Sequence, residues 1–142
     1  MVKKIILWVV ISLAVIALLI QLVPYGRNHT NPSVAAEPKW DSPQTRGLAK
    51  RACFDCHSNE TVWPWYSNIA PVSWLVYHDV MEGRSRMNFS EWNRPQPTAP
   101  EAAAILQEGE MPPAIYLLMH PTARLSPNER QLLATSLNVS LK

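Results

Sequence analysis

The longest apolar run of the chain lies near its N-terminus. Ile5 to Val23 is nineteen residues without a charged side chain, preceded by Lys3 and Lys4 and ended by Pro24. At ~1.5 Å rise per residue, such a helix spans roughly the hydrocarbon core of a bilayer. The two lysines favour a cytoplasmic N-terminus. We therefore expect a short cytoplasmic segment at 1–4 and a single transmembrane anchor at 5–23, with the rest of the chain exported.

A cleaved signal peptide is the competing interpretation. Its apolar region is usually about 7–15 residues long and is followed closely by a small-residue cleavage site. Here the run is longer, and the nearest such site, Val34-Ala35-Ala36, ends thirteen residues past Val23. The uncleaved anchor is therefore favoured. Residues 24–42, rich in proline and without apolar periodicity, are expected to form a linker.

Residues 43–142 carry apolar positions at helical spacing, and no stretch alternates well enough to predict a strand. Helix starts are predicted where serine precedes proline, and glycine is expected as a left-handed residue where a helix ends. Serine or threonine followed three residues later by glutamate predicts a capping box. The predicted helices begin at Ser42-Pro43 and Ser126-Pro127 and cover 71–82, 98–108 and 114–119, with capping boxes at Thr98/Glu101 and Ser126/Glu129 and terminal glycines at Gly83 and Gly109.

Composition and charge narrow the function classes. The chain has 142 residues, 47% of them apolar, which suits one domain besides the anchor. Beyond residue 23 it carries eleven basic and eleven acidic side chains, so the exported part is neutral. Nucleic-acid binders usually present a dense basic face. We expect no nucleic-acid partner.

The candidate chemistry lies at Cys53-Phe54-Asp55-Cys56-His57. Two cysteines separated by two residues and followed at once by histidine form the attachment pattern of c-type haem. The two thiols can add to two vinyl groups of the porphyrin, and the adjacent His57 can supply the proximal nitrogen ligand to iron. One turn of helix presents all three side chains together.

Three other interpretations of the cysteine pair are weaker. A structural zinc site needs a second ligand pair, but there is no third cysteine, and His78 and His120 are isolated. A thioredoxin-like redox motif needs a βαβ context that the pattern does not show. A disulfide between Cys53 and Cys56 would close too small a loop to stabilise much. Covalent haem is therefore the prediction.

Met111 is the candidate for the second axial ligand, since methionine and histidine usually complete a six-coordinate c-type haem. It stands in Gly109-Glu110-Met111-Pro112-Pro113, where two prolines predict a rigid, extended loop after a helix. Methionine more often fills a core, and we expect that of Met119. The remaining candidate ligands are Met87, His78 and His120.

Large aromatic residues follow the motif at Trp63-Pro64-Trp65-Tyr66, and Trp74 comes soon after. Such rings bury much area and stack well on a flat macrocycle. We expect Trp63, Trp65 and Tyr66 to wall the haem pocket, although packing in an ordinary core would use the same residues.

These motifs together resemble those of a family of small bacterial membrane-anchored proteins called haem-binding domain proteins. The resemblance spans roughly residues 43–138. It implies a monohaem, cytochrome c-like all-α bundle of about four to five short helices, and no particular reaction. The segments that carry it are residues 53–61, 63–74, 83–84, 88–92, 109–113, 116–118 and 120–121, which read CFDCHSNET, WPWYSNIAPVSW, GR, NFSEW, GEMPP, YLL and HP.

The resulting expectation is a periplasmic, membrane-anchored carrier of single electrons, with haem c attached through Cys53 and Cys56, and His57 and Met111 on the iron. Its redox partner is an unidentified protein. The alternatives are a haem-based sensor or haem-dependent module, and a peroxidase-like enzyme. A peroxidase needs an open sixth position and polar distal groups, for which His78 and Arg84 are the candidates.

Overall fold

The computed structural model describes residues 1–140, and this part of the chain is helical, as the sequence predicts. It contains seven α-helices and three short 3-10 turns. An isolated bridge pairs Ala36 with Glu91, and no strand occurs among the described residues. The α-helices are α1 Val2–Ile20, α2 Pro43–Ala52, α3 Phe54–His57, α4 Val72–Arg86, α5 Ala102–Glu108, α6 Ala114–Met119 and α7 Pro127–Ser140.

The chain divides into two compact units, one formed by residues 1–30 and 63–79 and the other by residues 31–62 and 80–142. In the first unit, α1 is long and apolar enough to cross a membrane, and none of its residues is buried against protein. The chain after α1 contacts the 63–79 segment. Tyr25 packs edge-to-face on Tyr77 with ring centroids 5.4 Å apart, and Gly26 adopts a left-handed φ of 79°.

The second unit is organised around a core of leucine, alanine and aromatic side chains from α2, α5, α7 and the loop after α4. Phe54 and Phe89 stack with centroids 5.4 Å apart, and both are almost fully buried. Trp40 and Trp92 pack against the edge of this pair. Because Phe54 belongs to α3, the aromatic cluster fixes the motif helix to the core.

Most of the predicted helix boundaries are confirmed. The Ser42 hydroxyl accepts a hydrogen bond from the backbone N–H of Thr45 at 3.2 Å, which caps α2. At α7, the Glu129 carboxylate accepts from Ser126 N–H at 2.8 Å while Ser126 Oγ accepts from Glu129 N–H at 3.3 Å, the reciprocal pair of a capping box. Gly109 ends α5 with φ 80°.

Two local predictions are wrong. Gly83 does not end a helix: α4 continues to Arg86. A Cβ on Gly83 would lie 2.4 Å from Cys56 O, so glycine is needed there for close packing and not for a left-handed helix end. Thr98 makes no side-chain cap, since a 3-10 turn, Ala99–Glu101, precedes α5 and moves the helix start away from it. In both places the backbone conformation is set by packing and not by the local sequence signal.

The segment expected to be a linker, 24–42, makes specific contacts in each unit. Backbone N–H groups of Ala35 and Ala36 donate to Ser90 O at 2.8 and 3.1 Å, and Trp92 N–H donates to Ala36 O at 2.9 Å. His29 stacks on Trp63 with centroids 4.5 Å apart. Several backbone groups of the segment are thus hydrogen-bonded to protein.

Candidate functional site

The end of α2 and the short α3 place the two cysteines. Cys53 lies between the helices, where its N–H donates to Ala49 O at 2.8 Å and its φ of −126° breaks the helix. Neither cysteine forms a disulfide. Burial and the nearby Cys56 raise the pKa of Cys53 to about 12, so its thiol stays protonated. A redox-active CxxC pair instead needs a lowered thiol pKa, so the structure does not favour thioredoxin-like chemistry.

His57 is oriented by the C-terminal part of α4. Its Nδ1 lies 3.1 Å from Gly83 O and 3.1 Å from Met87 O, so Nδ1 carries the proton and donates to these carbonyls. No hydrogen bond reaches Nε2 from any described residue. Burial lowers the pKa of His57, which keeps the imidazole neutral. A neutral ring with a fixed Nδ1–H and a lone pair on Nε2 is the form that binds a metal.

Close packing of α4 on the motif makes this hydrogen bonding feasible. A Cβ built on Gly83 would lie 2.4 Å from Cys56 O and 3.0 Å from Cys56 C. Only glycine therefore allows the α4 backbone to approach the motif this closely. This purpose of Gly83 was not predicted from the sequence. The signal available was a glycine inside a helical pattern, which often marks a close backbone approach.

Arg84, a candidate distal group, uses its guanidinium in hydrogen bonds to other parts of the chain. It is 8% exposed, and its guanidinium donates to Ser58 O at 2.8 Å, Thr61 Oγ1 at 2.9 Å and Asn31 Oδ1 at 2.8 Å. These bonds hold the chain that leaves the motif. The structure therefore supports a structural function for Arg84 rather than a catalytic one.

Met111 lies in the loop between α5 and α6 and is 40% exposed. The helix after it is attached to the motif, because the Tyr116 hydroxyl donates to Asp55 Oδ2 at 2.7 Å. Within residues 1–140 no hydrogen bond or ring contact joins Met111 itself to His57. The structure thus brings the Met111 loop and the motif into one unit, and ligation by Met111 stays a prediction.

The other candidate ligands fall in different environments. Met87 is buried in the core and offers its carbonyl, not its sulfur, to His57. Met119, expected in the core, is 57% exposed, so that expectation is wrong: α6 has no buried residue. His120 stacks on Tyr116 with centroids 4.0 Å apart at the turn after α6. His78 belongs to the first unit and is exposed.

The aromatic residues after the motif, Trp63, Trp65 and Tyr66, also belong to the first unit. Trp65 is 71% exposed and meets Tyr66 edge-to-face at 5.8 Å. Their assignment to a haem pocket therefore stays a prediction.

The residues present suit haem iron better than a protein-only metal site. Among the described residues, no group of three or more His, Cys, Asp or Glu is arranged to hold a metal ion. Zinc needs about four such ligands, whereas a porphyrin supplies four nitrogens and asks the protein only for axial ligands. The single oriented imidazole of His57 fits the second requirement.

Comparison with known proteins agrees with this chemistry. The model of the haem-binding domain family matches residues 15–138, nearly the whole chain. The chain therefore belongs to the haem-binding domain family and binds haem. No curated protein and no solved structure matches it.

Proposed function

From a chain of the haem-binding domain family, we propose a membrane-anchored c-type protein that carries single electrons on one haem. The observation that supports this most is the geometry of His57, whose Nδ1–H is held by two carbonyls and which directly follows a pair of cysteines that form no disulfide. When bound, haem iron supplies one-electron chemistry between its ferric and ferrous states. The chain's own residues attach the group, ligate it and control access to it.

Attachment uses Cys53 and Cys56. Each thiol adds across one vinyl double bond: the sulfur bonds one carbon, the thiol hydrogen goes to the other, and no oxidant is needed. The aromatic stack of Phe54 on Phe89 holds α3 in place, so the two sulfurs keep a fixed spacing. Covalent attachment would then keep haem on the exported protein.

His57 is the proposed proximal ligand, through Nε2. The carbonyls of Gly83 and Met87 fix its ring plane and tautomer and increase electron donation from the ring. Met111 is the proposed distal ligand. Its loop follows the left-handed Gly109, and α6 is attached to α3 through Tyr116 and Asp55, which limits how far the loop can move from the motif. A thioether in this position would close the iron to peroxide and gases.

The proposed location is the inner membrane, with α1 as a single-pass anchor and the haem domain in the periplasm. The length and hydropathy of α1 and the lysines before it support this. The proposed partner is a second redox protein. An electron carrier, and not an enzyme, is favoured because the guanidinium of Arg84 is occupied by Ser58, Thr61 and Asn31.

The test is covalent haem. The full chain is expressed with a c-type haem maturation system, denatured and extracted with acidified organic solvent, and the peptide containing Cys53 and Cys56 is weighed by mass spectrometry. We expect haem to stay with the polypeptide and the peptide to carry its mass. Replacing Cys53 and Cys56 by alanine should release the haem to the solvent phase. Haem that extracts freely from the unchanged chain would contradict the c-type assignment.

A further inference from the structure

The chain that follows α1 is attached to the 63–79 segment immediately beyond the helix end. The Gln21 side chain forms two hydrogen bonds with the backbone of Ala70: Nε2 donates to Ala70 O at 2.9 Å, and Oε1 accepts from Ala70 N–H at 3.0 Å. Gln21 Nε2 also donates to Ala17 O at 2.9 Å within the last turn of α1. One side chain therefore ties Ala70 directly to the end of the apolar helix.

A second contact, five residues further along, holds the same segment. A Cβ on Gly26 would lie 2.4 Å from Ser73 O and 3.0 Å from Trp74 N, so the two backbones touch at a glycine. Arg27 turns back, and its guanidinium donates to Gln21 O beyond the helix end. A cation there complements the negative end of the helix dipole. The chain after α1 thus holds the 70–74 segment from both ends.

The attached segment exposes large apolar side chains. Trp65, Ile69, Val72 and Leu75, which we call the apolar patch, are 71%, 46%, 42% and 43% exposed. From Thr61 to His78 the sequence contains no Asp, Glu, Lys or Arg. Single exposed apolar residues are ordinary, but an uncharged stretch of eighteen residues with four of them is suited to an apolar contact.

The position of the apolar patch next to the end of α1 indicates what the patch contacts. A helix of 19 residues measures about 28 Å at ~1.5 Å per residue, close to the ~30 Å hydrocarbon core, so an α1 that spans the bilayer places Gln21 at the far boundary. Residues bonded to Gln21 then lie in the interfacial layer, where tryptophan is enriched and where apolar side chains enter by roughly 5–10 Å. No charge in the stretch has to be desolvated.

We propose that the apolar patch is a lipid-contacting surface that seats the first unit on the bilayer, beside its own transmembrane helix. This rests on the proposed anchor. It assigns Trp65 to lipid, in contrast to the haem-pocket wall expected from the sequence. The anchor would then be more than a tether, because a second, shallow contact fixes the tilt of the first unit on the membrane surface.

The experiment maps lipid contacts on the full-length haem-loaded chain in phospholipid nanodiscs. Two probe lipids carry a photoactivated diazirine, one near the ester carbonyl and one at the end of the acyl chain, and labelled peptides are read by mass spectrometry. We expect both probes to label α1, only the shallow probe to label 63–76, and neither to label α7. Replacing Trp65 and Ile69 by serine should abolish shallow labelling of 72–76, whereas Leu132→Ser, at a 38% exposed apolar position of α7, should leave it unchanged.

The outcomes separate the two proposals. If α1 is labelled by both probes while 63–76 is labelled no more than α7, the lipid-contacting surface is refuted and the anchor stands. If α1 itself is unlabelled by the deep probe, the anchor is refuted.

Discussion

The contact between Gly83 and the motif predicts that adding one methyl group to α4 disturbs both stability and haem ligation. In Gly83→Ala the new Cβ would lie 2.4 Å from Cys56 O, about 1 Å closer than an ordinary contact. The neighbouring atoms are backbone, so they cannot rotate away as a side chain would. Either α3 or α4 must shift.

The expected change in the free energy of unfolding is the sum of opposing effects. Alanine favours a helix over glycine by up to about 1 kcal/mol, whereas overpacking a rigid site costs typically ~1–3 kcal/mol. A shift of α4 also lengthens the hydrogen bond from His57 Nδ1 to Gly83 O, now 3.1 Å, and such a bond contributes ~0.5–1.5 kcal/mol. We expect Gly83→Ala to lower the free energy of unfolding by about 2 kcal/mol.

The matched control is Gly47→Ala in α2. A Cβ there meets nothing within 4 Å, so only the helix preference acts, and the free energy of unfolding should rise by ~0.5–1 kcal/mol. Denaturant unfolding of both haem-loaded variants measures the two changes, and the ferrous absorption spectrum reports on the iron ligands. A Gly83→Ala protein that is stabilised like Gly47→Ala, with an unchanged spectrum, would refute the close-approach argument.

Two further predictions concern the distal ligand and acid stability. Met111→Ala should lower the reduction potential, remove the long-wavelength sulfur-to-ferric-iron band and let the ferrous protein bind carbon monoxide. The control Met119→Ala, which changes a 57% exposed side chain, should do none of these. Survival of the band in Met111→Ala would exclude Met111 as the distal ligand. The Glu129 carboxylate accepts hydrogen bonds from Ser126 N–H, Arg51 and the Ser126 hydroxyl, which lowers its pKa from 4.5 to about 2. Its contribution to the free energy of unfolding is therefore complete above pH 4.5 and is lost as the pH falls towards 2. Glu129→Gln should therefore flatten the fall in unfolding midpoint between pH 5 and pH 2, and an equally steep fall would contradict the assignment.

The features of the fold that the sequence predicted are those decided within a few residues. Ser42 and the Ser126/Glu129 pair cap helices through hydrogen bonds spanning three positions, so the local pattern contains all the information. Gly109 likewise ends its own helix. Gly83 followed the same local pattern and was misassigned, because its environment is set by Cys56, far away along the chain.

In the candidate site, too, some features could be predicted from the local sequence and others could not. The pattern of Cys53, Cys56 and His57 indicated haem because attachment chemistry fixes that spacing. The partners that orient the imidazole were invisible, since a backbone carbonyl carries no sequence signature. The attachment of α6 through Asp55 and Tyr116 was equally hidden, because neither side chain has a periodicity that would pair them.

The ending of α4 explains how one helix can both pack against the motif and tune its histidine. Gly83 O already accepts from Met87 N–H at 2.9 Å within the helix turn, and Met87 lies just past the helix end, where carbonyls lack intrahelical donors. His57 Nδ1 therefore donates to one shared and one otherwise open carbonyl, at the negative end of the helix dipole. With His57 as a ligand, this environment would increase electron donation from the imidazole and favour ferric iron, whereas a thioether from Met111 would favour ferrous iron. With the proposed ligand pair, the reduction potential would balance the effect of the carbonyls that hold His57 against the effect of the Met111 thioether. Substitutions that weaken the hydrogen bonds to His57 and substitutions that remove Met111 should therefore shift the potential in opposite directions.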